Sequence, residues 1–233
     1  MKLGIPENSM PAFRRAVEHG FGIELDIHLT KDGKLLVFHD EYLQRMCGVD
    51  GMVEKMDSKI LKTFSLAGTE YHMPELSEVL ALVDGKVPLL LELKLPFYDT
   101  KLCEVFFAQI EQYHGKFLIE SFNPFGLYWF HKKHPEILRG QLSTRHAASV
   151  KSPLILKWLS TSLLINLVSR PHFIAYHYED TDVTGFRLNH KLFHIPTFIW
   201  TIRNEKDYQD CRKRFDCIIF EKFIPMQEGK KAL

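Results

Sequence analysis

The sequence has few cysteines and almost no net charge, and each shortage excludes a class of protein. Its four cysteines, Cys47, Cys103, Cys211 and Cys217, form no CxxC pair. We therefore expect reduced thiols rather than disulfides or zinc ligands, as is usual in the cytoplasm. The formal net charge of +1 at pH 7 gives no indication of a polyanionic partner such as nucleic acid.

Apolar runs long enough to cross a membrane are also missing. The most apolar window, residues 154–168, contains Lys157 and Asn166, so it predicts a core or surface helix, with contact to lipid as the alternative. No basic segment precedes an apolar run at the N terminus, so no signal peptide is expected. With 233 residues, 45% of them hydrophobic, the chain is expected to form one domain over residues 1–233.

Residues 22–40 carry the most informative pattern in the chain. Apolar residues alternate here with Glu24, Asp26 and His28, which is the period of a β-strand with one acidic face. The turn sequence TKDG at 30–33 follows, and because it is too short for a parallel crossover, the next strand must return antiparallel. This hairpin is expected to place His39 roughly opposite Glu24, so that both lie near Asp26.

Two carboxylates on one strand face repel each other, and burying them requires a cation or a proton between them. Carboxylate oxygens suit a hard divalent ion such as Mg²⁺, Ca²⁺ or Mn²⁺. A histidine beside such an ion can act as a general acid or base near neutral pH. A solvated sheet surface explains the same spacing equally well, so the pattern alone leaves both interpretations open.

The rest of the chain predicts a parallel α/β sheet. Residues 41–86 form an irregular, glycine-containing stretch, which we interpret as a small lobe inserted in the domain. Strands and helices then alternate, with helices expected at 153–168 and 182–194, which is typical of parallel sheets. Strand centres are expected at Ile23, Leu90, Leu118, Leu138, Ile174, Ile199 and Ile218. These seven parallel strands are one fewer than a closed barrel needs.

From Pro6 onward, the ordered motifs resemble the glycerophosphodiester phosphodiesterase family. The segments that carry the resemblance are PENSMPAF at 6–13, IELDIHLTKDGKLLVFHD at 23–40, LELK at 91–94, Ser121-Phe122 and FIWTI at 198–202. The resemblance implies an α/β fold, a TIM-type (β/α)8 barrel with an inserted lobe. It also implies metal-dependent hydrolysis of small glycerophosphodiesters to glycerol 3-phosphate and an alcohol, with one divalent cation (Mg²⁺, Ca²⁺ or Mn²⁺).

The resemblance also implies roles for particular residues. Carried over by position, Glu24, Asp26 and Glu92 would bind the cation, and His39 would be the second of two catalytic histidines. Lys94 would contact a phosphate oxygen, with an ion pair to Glu92 as the alternative.

Two aromatic residues complete the implied site. Trp200 and, on weaker grounds, Phe122 would line the substrate groove. The alternative for an aromatic side chain in an apolar strand is packing in the core.

The family's first strand, which ends in His-Arg-Gly, has no counterpart in the sequence given. Only five residues precede Pro6, and none is His or Arg. We therefore expect a barrel without its first strand and first catalytic histidine, hydrolysis that is weak or absent, and unpaired strand edges that favour a homo-oligomer or aggregation. The alternative function is a non-catalytic metal- or phosphate-binding relative of the family. A barrel enzyme of other chemistry ranks last, because it requires the ordered motifs to be accidental.

Overall fold

The computed structural model describes residues 4–96, 99–145 and 162–226, and the chain divides into two compact units, Met1–Leu138 and Arg139–Leu233. The strands of the first unit are β1 (Ile23–Leu29), β2 (Leu35–Val37), β3 (Leu89–Leu93) and β4 (Phe117–Ser121). Strand β1 pairs antiparallel with β2 and parallel with β3, and β3 pairs parallel with β4.

The second unit has four strands in successive parallel pairs. They are β5 (Arg139–Ser143), β6 (Phe173–His177), β7 (Thr197–Ile202) and β8 (Cys217–Phe220). With β1, β3 and β4 of the first unit, they account for the seven parallel strands predicted. Each predicted centre lies in its strand except Leu138, which immediately precedes β5. Among the described residues, no strand precedes the first helix.

The β1–β2 hairpin forms around the turn that the sequence predicts. The Thr30 backbone N–H donates to the Lys34 carbonyl at 2.9 Å, and Gly33 has a φ of 80°, which a side chain would disfavour. The Asp32 carboxylate accepts hydrogen bonds from the Ser58 N–H at 2.8 Å and the Ser58 hydroxyl at 2.7 Å. The turn therefore holds the inserted lobe against the end of the hairpin.

Helices of both units follow the predicted alternation. Those of the first unit are α1 (Met10–His19), α2 (Gln44–Cys47), α3 (Ser58–Leu61), α4 (Leu76–Val83), α5 (Lys101–Ile110) and α6 (Pro124–Lys133), with a 3-10 helix at Val53–Lys55. Those of the second unit are α7 (Asn166–Ser169), α8 (Thr184–Arg187) and α9 (Glu205–Arg212), with a 3-10 helix at Tyr178–Asp180 and a π-helix at Leu188–Leu192.

Two of the predicted helices differ from the structure or lie partly outside it. The prediction at 153–168 falls for the most part outside the described residues, and its described end is a turn followed by α7. The prediction at 182–194 is interrupted, because α8 continues as a π-helix. Every helix among the described residues is too short or too polar to span a membrane.

Each unit has its own hydrophobic core. The largest cluster packs β1, β3 and β4 against α1, α4, α5 and α6, and Phe106 is one of its fully buried members. A second cluster joins Leu36 and Phe38 of the hairpin segment to the interior of the inserted lobe, as far as Met73. The apolar face of α4 belongs to the first cluster instead, so the end of the predicted lobe packs into the main core. The second unit has a third cluster around Tyr176 and Phe186.

We predict that Phe106→Ala lowers the free energy of unfolding by about 3–5 kcal/mol, because the buried ring leaves a cavity that its neighbours fill only in part. Ile60→Ala is the matched control, since Ile60 is exposed on α3, and it should change stability by about 0.5 kcal/mol or less. Urea unfolding measures both. Similar losses for the two variants would contradict this assignment of the core.

Candidate active site

Three carboxylates meet where β1 and β3 run side by side. The parallel register pairs Asp26 with Glu92, and Glu24 lies two positions earlier on the same face of β1. Each of the three offers a carboxylate oxygen, and these oxygens all lie within 4.8 Å of one another. Asp26 and Glu92 are buried, and Glu24 is half-buried. The register of two strands therefore brings Glu92, which the family resemblance implied, beside the Glu24 and Asp26 pair that the strand pattern predicts.

Lys94 lies between two of these carboxylates. Its Nζ is 2.8 Å from Asp26 Oδ1 and 2.7 Å from Glu92 Oε1. The ion pair with Glu92, which was the alternative for Lys94, is thus present and extends to Asp26. Burial lowers the pKa of Lys94, but the carboxylates of Glu92 and Asp26 raise it by more than burial lowers it. The net shift is upward, so the ammonium stays charged.

The surroundings drive the pKa values of the three acids apart. Burial, followed by repulsion from Asp26, raises the pKa of Glu24 well above its usual range. Burial likewise raises the pKa of Glu92 to about 7. Burial also opposes ionisation of Asp26, but Lys94 and His39 outweigh it, and the pKa of Asp26 is lowered. The cluster therefore holds more acidic groups than Lys94 alone neutralises, which suits an added cation.

Asn8, which the sequence interpretation did not assign to the site, holds Asp26 in place. Its Nδ2 donates to Asp26 Oδ2 at 2.7 Å, and its Oδ1 accepts from the Asp26 backbone N–H at 3.3 Å. Asn8 adopts a φ of 50°, a left-handed conformation that asparagine tolerates. Its position in the PENSMPAF motif was the available signal.

Glu120 was also missed. It lies one residue before the end of β4, beside Glu92 in the parallel register, and its side chain is buried. Burial, followed by repulsion from Glu92 and Asp26, raises its pKa well above the usual range. The signal lay in the sequence, because Glu120 precedes Ser121-Phe122 at a predicted strand end, but only the register shows that it faces the same cluster.

His39 is not paired opposite Glu24 as the hairpin argument predicted. The β1–β2 ladder ends at Val37. One further hydrogen bond joins the Phe38 N–H to the Asp26 carbonyl, and His39 lies beyond it. His39 is instead a largely exposed side chain, and its Nδ1 is 2.7 Å from Asp40 Oδ1. It still lies near enough to Asp26 to contribute to the lowered pKa of that carboxyl.

Asp40, which contacts His39, is itself held by ionic contacts with Arg45. The Arg45 guanidinium donates to both oxygens of Asp40, at 2.5 Å and 2.8 Å, and also to Glu7. Partial burial raises the pKa of Asp40, but hydrogen bonds from Arg45 and His39 more than offset this, and the pKa is lowered. Asp40 is therefore an anion at neutral pH beside the imidazole.

The two aromatic candidates lie in different units. Phe122 follows β4 in the first unit and is partly exposed. Trp200 belongs to β7 in the second unit, is half-buried, and has its ring edge-on to His177 with centroids 5.1 Å apart. Their part in a substrate groove stays a prediction.

We predict that Lys94→Met destabilises the metal-free protein by about 3–5 kcal/mol at pH 8, because it leaves two buried carboxylates without their cation. The loss should shrink toward pH 5, since acids whose pKa is raised in the folded state destabilise it only as they ionise with rising pH. Urea unfolding with a chelator at both pH values measures this.

Lys62→Met is the matched control for Lys94→Met. Lys62 also contacts two carboxylates, those of Glu75 and Glu78, at 3.3 Å and 2.9 Å, but on the surface. Its loss should cost about 1 kcal/mol or less. A Lys94→Met effect of that size, or one that does not change with pH, would contradict the account of the buried ion pairs.

Curated relatives match parts of the chain. A glycerophosphodiester phosphodiesterase from Bacillus altitudinis is 36% identical over 148 residues, which cover 57% of this chain and 59% of the relative. One from Caldanaerobacter subterraneus subsp. tengcongensis is 36% identical over 155 residues, which cover 59% and 61%. The chain therefore spans about three fifths of the length of these relatives.

Solved structures match most of the chain. A glycerophosphodiester phosphodiesterase from Thermotoga maritima aligns with a TM-score of 0.71 and 24% identity, covering 92% of this chain and 88% of the other. An Oleispira antarctica phosphodiesterase in complex with the product sn-glycerol-3-phosphate aligns with a TM-score of 0.74 and 23% identity, covering 92% and 87%. The expected fold class, an α/β TIM-type barrel fold, is confirmed by this likeness. The model of the glycerophosphoryl diester phosphodiesterase family matches residues 2–222, and the chain belongs to that family.

Proposed function

We propose that the protein hydrolyses glycerophosphodiesters to glycerol 3-phosphate and an alcohol. The observation that carries the proposal is the buried cluster of Glu24, Asp26 and Glu92 with Lys94 among them, in a chain that belongs to this family. It combines oxygen ligands for a divalent cation with a fixed cation of its own. Metal dependence and the glycerophosphodiester substrate are carried over from the family.

The cluster suits a hard divalent cation. Its three carboxylates provide oxygen donors close together, and burial and mutual repulsion raise the pKa of two of them. A bound cation would relieve that repulsion, and oxygen donors suit Mg²⁺ or Ca²⁺, and also Mn²⁺. Such an ion supplies positive charge where negative charge develops on the phosphate oxygens. Glu24, Asp26 and Glu92 would hold it.

The chain's own residues would bind the phosphate and move a proton. The Lys94 ammonium is a compact cation that can donate to a phosphate oxygen. His39 would transfer a proton to or from the reacting oxygen, and the Asp40 carboxylate at its Nδ1 would leave Nε2 for that transfer. Phe122 and Trp200 would contact the apolar parts of the substrate. The nucleophile is the substrate's own glycerol hydroxyl, as the family resemblance implies.

A non-catalytic metal- or phosphate-binding protein is the second candidate function. It is favoured by one observation, that the His39 side chain is 55% exposed and its Nδ1 contacts Asp40 and not the carboxylate cluster. Metal binding without turnover would support it.

We further propose a cytoplasmic location, which the four cysteines support because none is in a disulfide.

The metal site is tested first. We predict that one Mg²⁺, Ca²⁺ or Mn²⁺ binds, and that Glu24→Gln and Glu92→Gln each weaken the affinity at least about tenfold, because a neutral amide replaces a charged ligand. Glu70→Gln, at an exposed position of the lobe, should bind as the unchanged protein does. Isothermal titration calorimetry measures all four proteins. If the unchanged protein binds none of the three ions, or if the Glu24 and Glu92 variants bind equally well, the site is wrong.

The affinity of the metal should also depend on pH. Glu92 has a pKa of about 7, so below that value a cation must displace its proton. Affinity should rise from pH 5.5 to pH 7.5, by up to about tenfold per pH unit for each proton displaced, and the proton released from Glu92 should be lost over the same range, whereas Glu24 still releases one. Calorimetry in two buffers of different ionisation enthalpy measures both quantities. A constant affinity would show that Glu92 is already ionised at pH 5.5.

The role of His39 is separable from that of the ligands. We predict that His39→Ala lowers turnover by about 10²- to 10⁴-fold, the usual contribution of an acid–base group, while the affinity for metal changes little. His114→Ala, at an exposed loop position, is the matched control. Release of glycerol 3-phosphate from glycerophosphocholine, followed by a coupled assay, measures turnover.

Three results would change these assignments. Equal turnover in His39→Ala would remove His39 from the mechanism, and a large loss of metal affinity would make it a ligand. Metal binding by the unchanged protein without hydrolysis of any glycerophosphodiester would favour the second candidate function.

A further inference from the structure

The second unit exposes an apolar surface that its own core does not use. Six large hydrophobic side chains between residues 164 and 193 are 36% to 69% exposed. They are Leu164, Leu167, Val168, Leu188, Leu192 and Phe193, and we refer to them as the apolar patch. Single exposed hydrophobic residues are ordinary, but a group of this size usually marks an interaction surface.

The two segments that carry the apolar patch are packed together. The Asn166 side chain of α7 donates to the Asn189 side chain of the π-helix at 3.3 Å. A methyl group on Gly185 would lie 2.2 Å from the Ser162 carbonyl oxygen, so the backbones of the two segments are in close contact. Leu188 and Leu192 are four residues apart and share one side of the π-helix. The patch is therefore one surface and not six separate side chains.

Basic residues border the apolar patch. Arg187 and Lys191 each immediately precede a patch leucine and are themselves four residues apart. No Asp or Glu occurs in residues 162–178 or 183–204. Within the described parts of the chain, neither Arg187 nor Lys191 has a carboxylate partner. No described carboxylate therefore neutralises their charges.

A cavity of about 350 Å³ opens beside the same cations. Its lining includes three basic residues, Arg187, Lys191 and Arg214, and one acidic residue, Asp182. The rings of Phe186, His190 and Phe215 also line it. Its one acidic group, Asp182, is already paired with Arg145. The cavity lining therefore combines net positive charge with aromatic rings, next to the exposed leucines.

We infer that this face docks the protein on an anionic lipid surface. A lipid bilayer offers both of the complements that the face requires, apolar chains for the patch and phosphate groups for Arg187 and Lys191. A second copy of the chain is a poorer complement, because a twofold contact through the patch would bring the same unpaired cations together. The inference stands apart from the proposed hydrolysis.

Vesicle sedimentation tests the inference. The full chain is mixed with vesicles of phosphatidylcholine alone or of phosphatidylcholine with 30% phosphatidylglycerol by mole. We expect at least about tenfold stronger binding to the anionic vesicles, because each basic residue near such a surface strengthens binding about fivefold. Binding should weaken in 0.5 M NaCl.

Paired variants separate the two parts of the surface. Arg187→Glu with Lys191→Glu should abolish the preference for anionic vesicles, and Leu192→Ser with Phe193→Ser should reduce binding at least about tenfold. Lys59→Glu with Ile60→Ser is the matched control, because it changes an exposed cation and an exposed hydrophobic residue of α3 in the first unit. The control should bind vesicles as the unchanged protein does. Circular dichroism and metal affinity check that each variant is folded.

Several outcomes would overturn the inference. These are no binding to either vesicle, equal binding to both, or an equal effect of the control. A dimer in light scattering that disappears in Leu192→Ser with Phe193→Ser, without vesicle binding, would assign the face to a second copy of the chain. None of these measurements involves a glycerophosphodiester, so failure here leaves the proposed hydrolysis untouched, and an inactive protein can still bind vesicles.

Discussion

The contact of Lys94 with Asp26 and Glu92 is the interaction around which the first unit is organised. Two carboxylates on adjacent parallel strands could not be buried as a bare pair, because each would raise the cost of ionising the other. The ammonium at 2.8 Å and 2.7 Å makes the arrangement tolerable. The single positive charge of Lys94 does not neutralise the whole cluster, since Glu24 and Glu120 add acidic groups to the same site. The excess negative charge is what makes the place suitable for a further cation.

Elements from distant parts of the sequence converge on this cluster. The loop before α1 contributes Asn8, whose amide contacts both the backbone and the side chain of Asp26. Strands β1, β3 and β4 contribute acids at positions that the ladder sets side by side. The apolar faces of the surrounding helices pack against the same strands. The tight packing keeps the acids close together despite their repulsion, so the scaffold provides the stability that the site itself reduces.

The sequence predicts the features that depend on local pattern, and it fails where tertiary register decides. The strand over Glu24 and Asp26 could be predicted because the alternation has a period of two, and β3 because it is a continuous apolar run. The position of His39 could not, because counting residues around a hairpin assumes that the ladder continues, whereas it ends at Val37. Glu120 was missed because its neighbour Glu92 lies on another strand, 28 residues earlier. Similarly, no periodicity indicates that α8 continues as a π-helix.

The contact of Arg45 with Glu7 and Asp40 constrains how this sequence can diverge. One guanidinium joins the loop before α1 to the segment that carries His39. Replacement of Arg45 removes the cation from both Glu7 and Asp40, and lysine cannot reproduce the two parallel hydrogen bonds to Asp40. These contacts are exposed, and each is therefore weak on its own, so joint inheritance of Glu7, Asp40 and Arg45 is expected where selection acts on the orientation of His39. A covarying triplet of this kind would trace the descent of the histidine segment independently of the metal ligands.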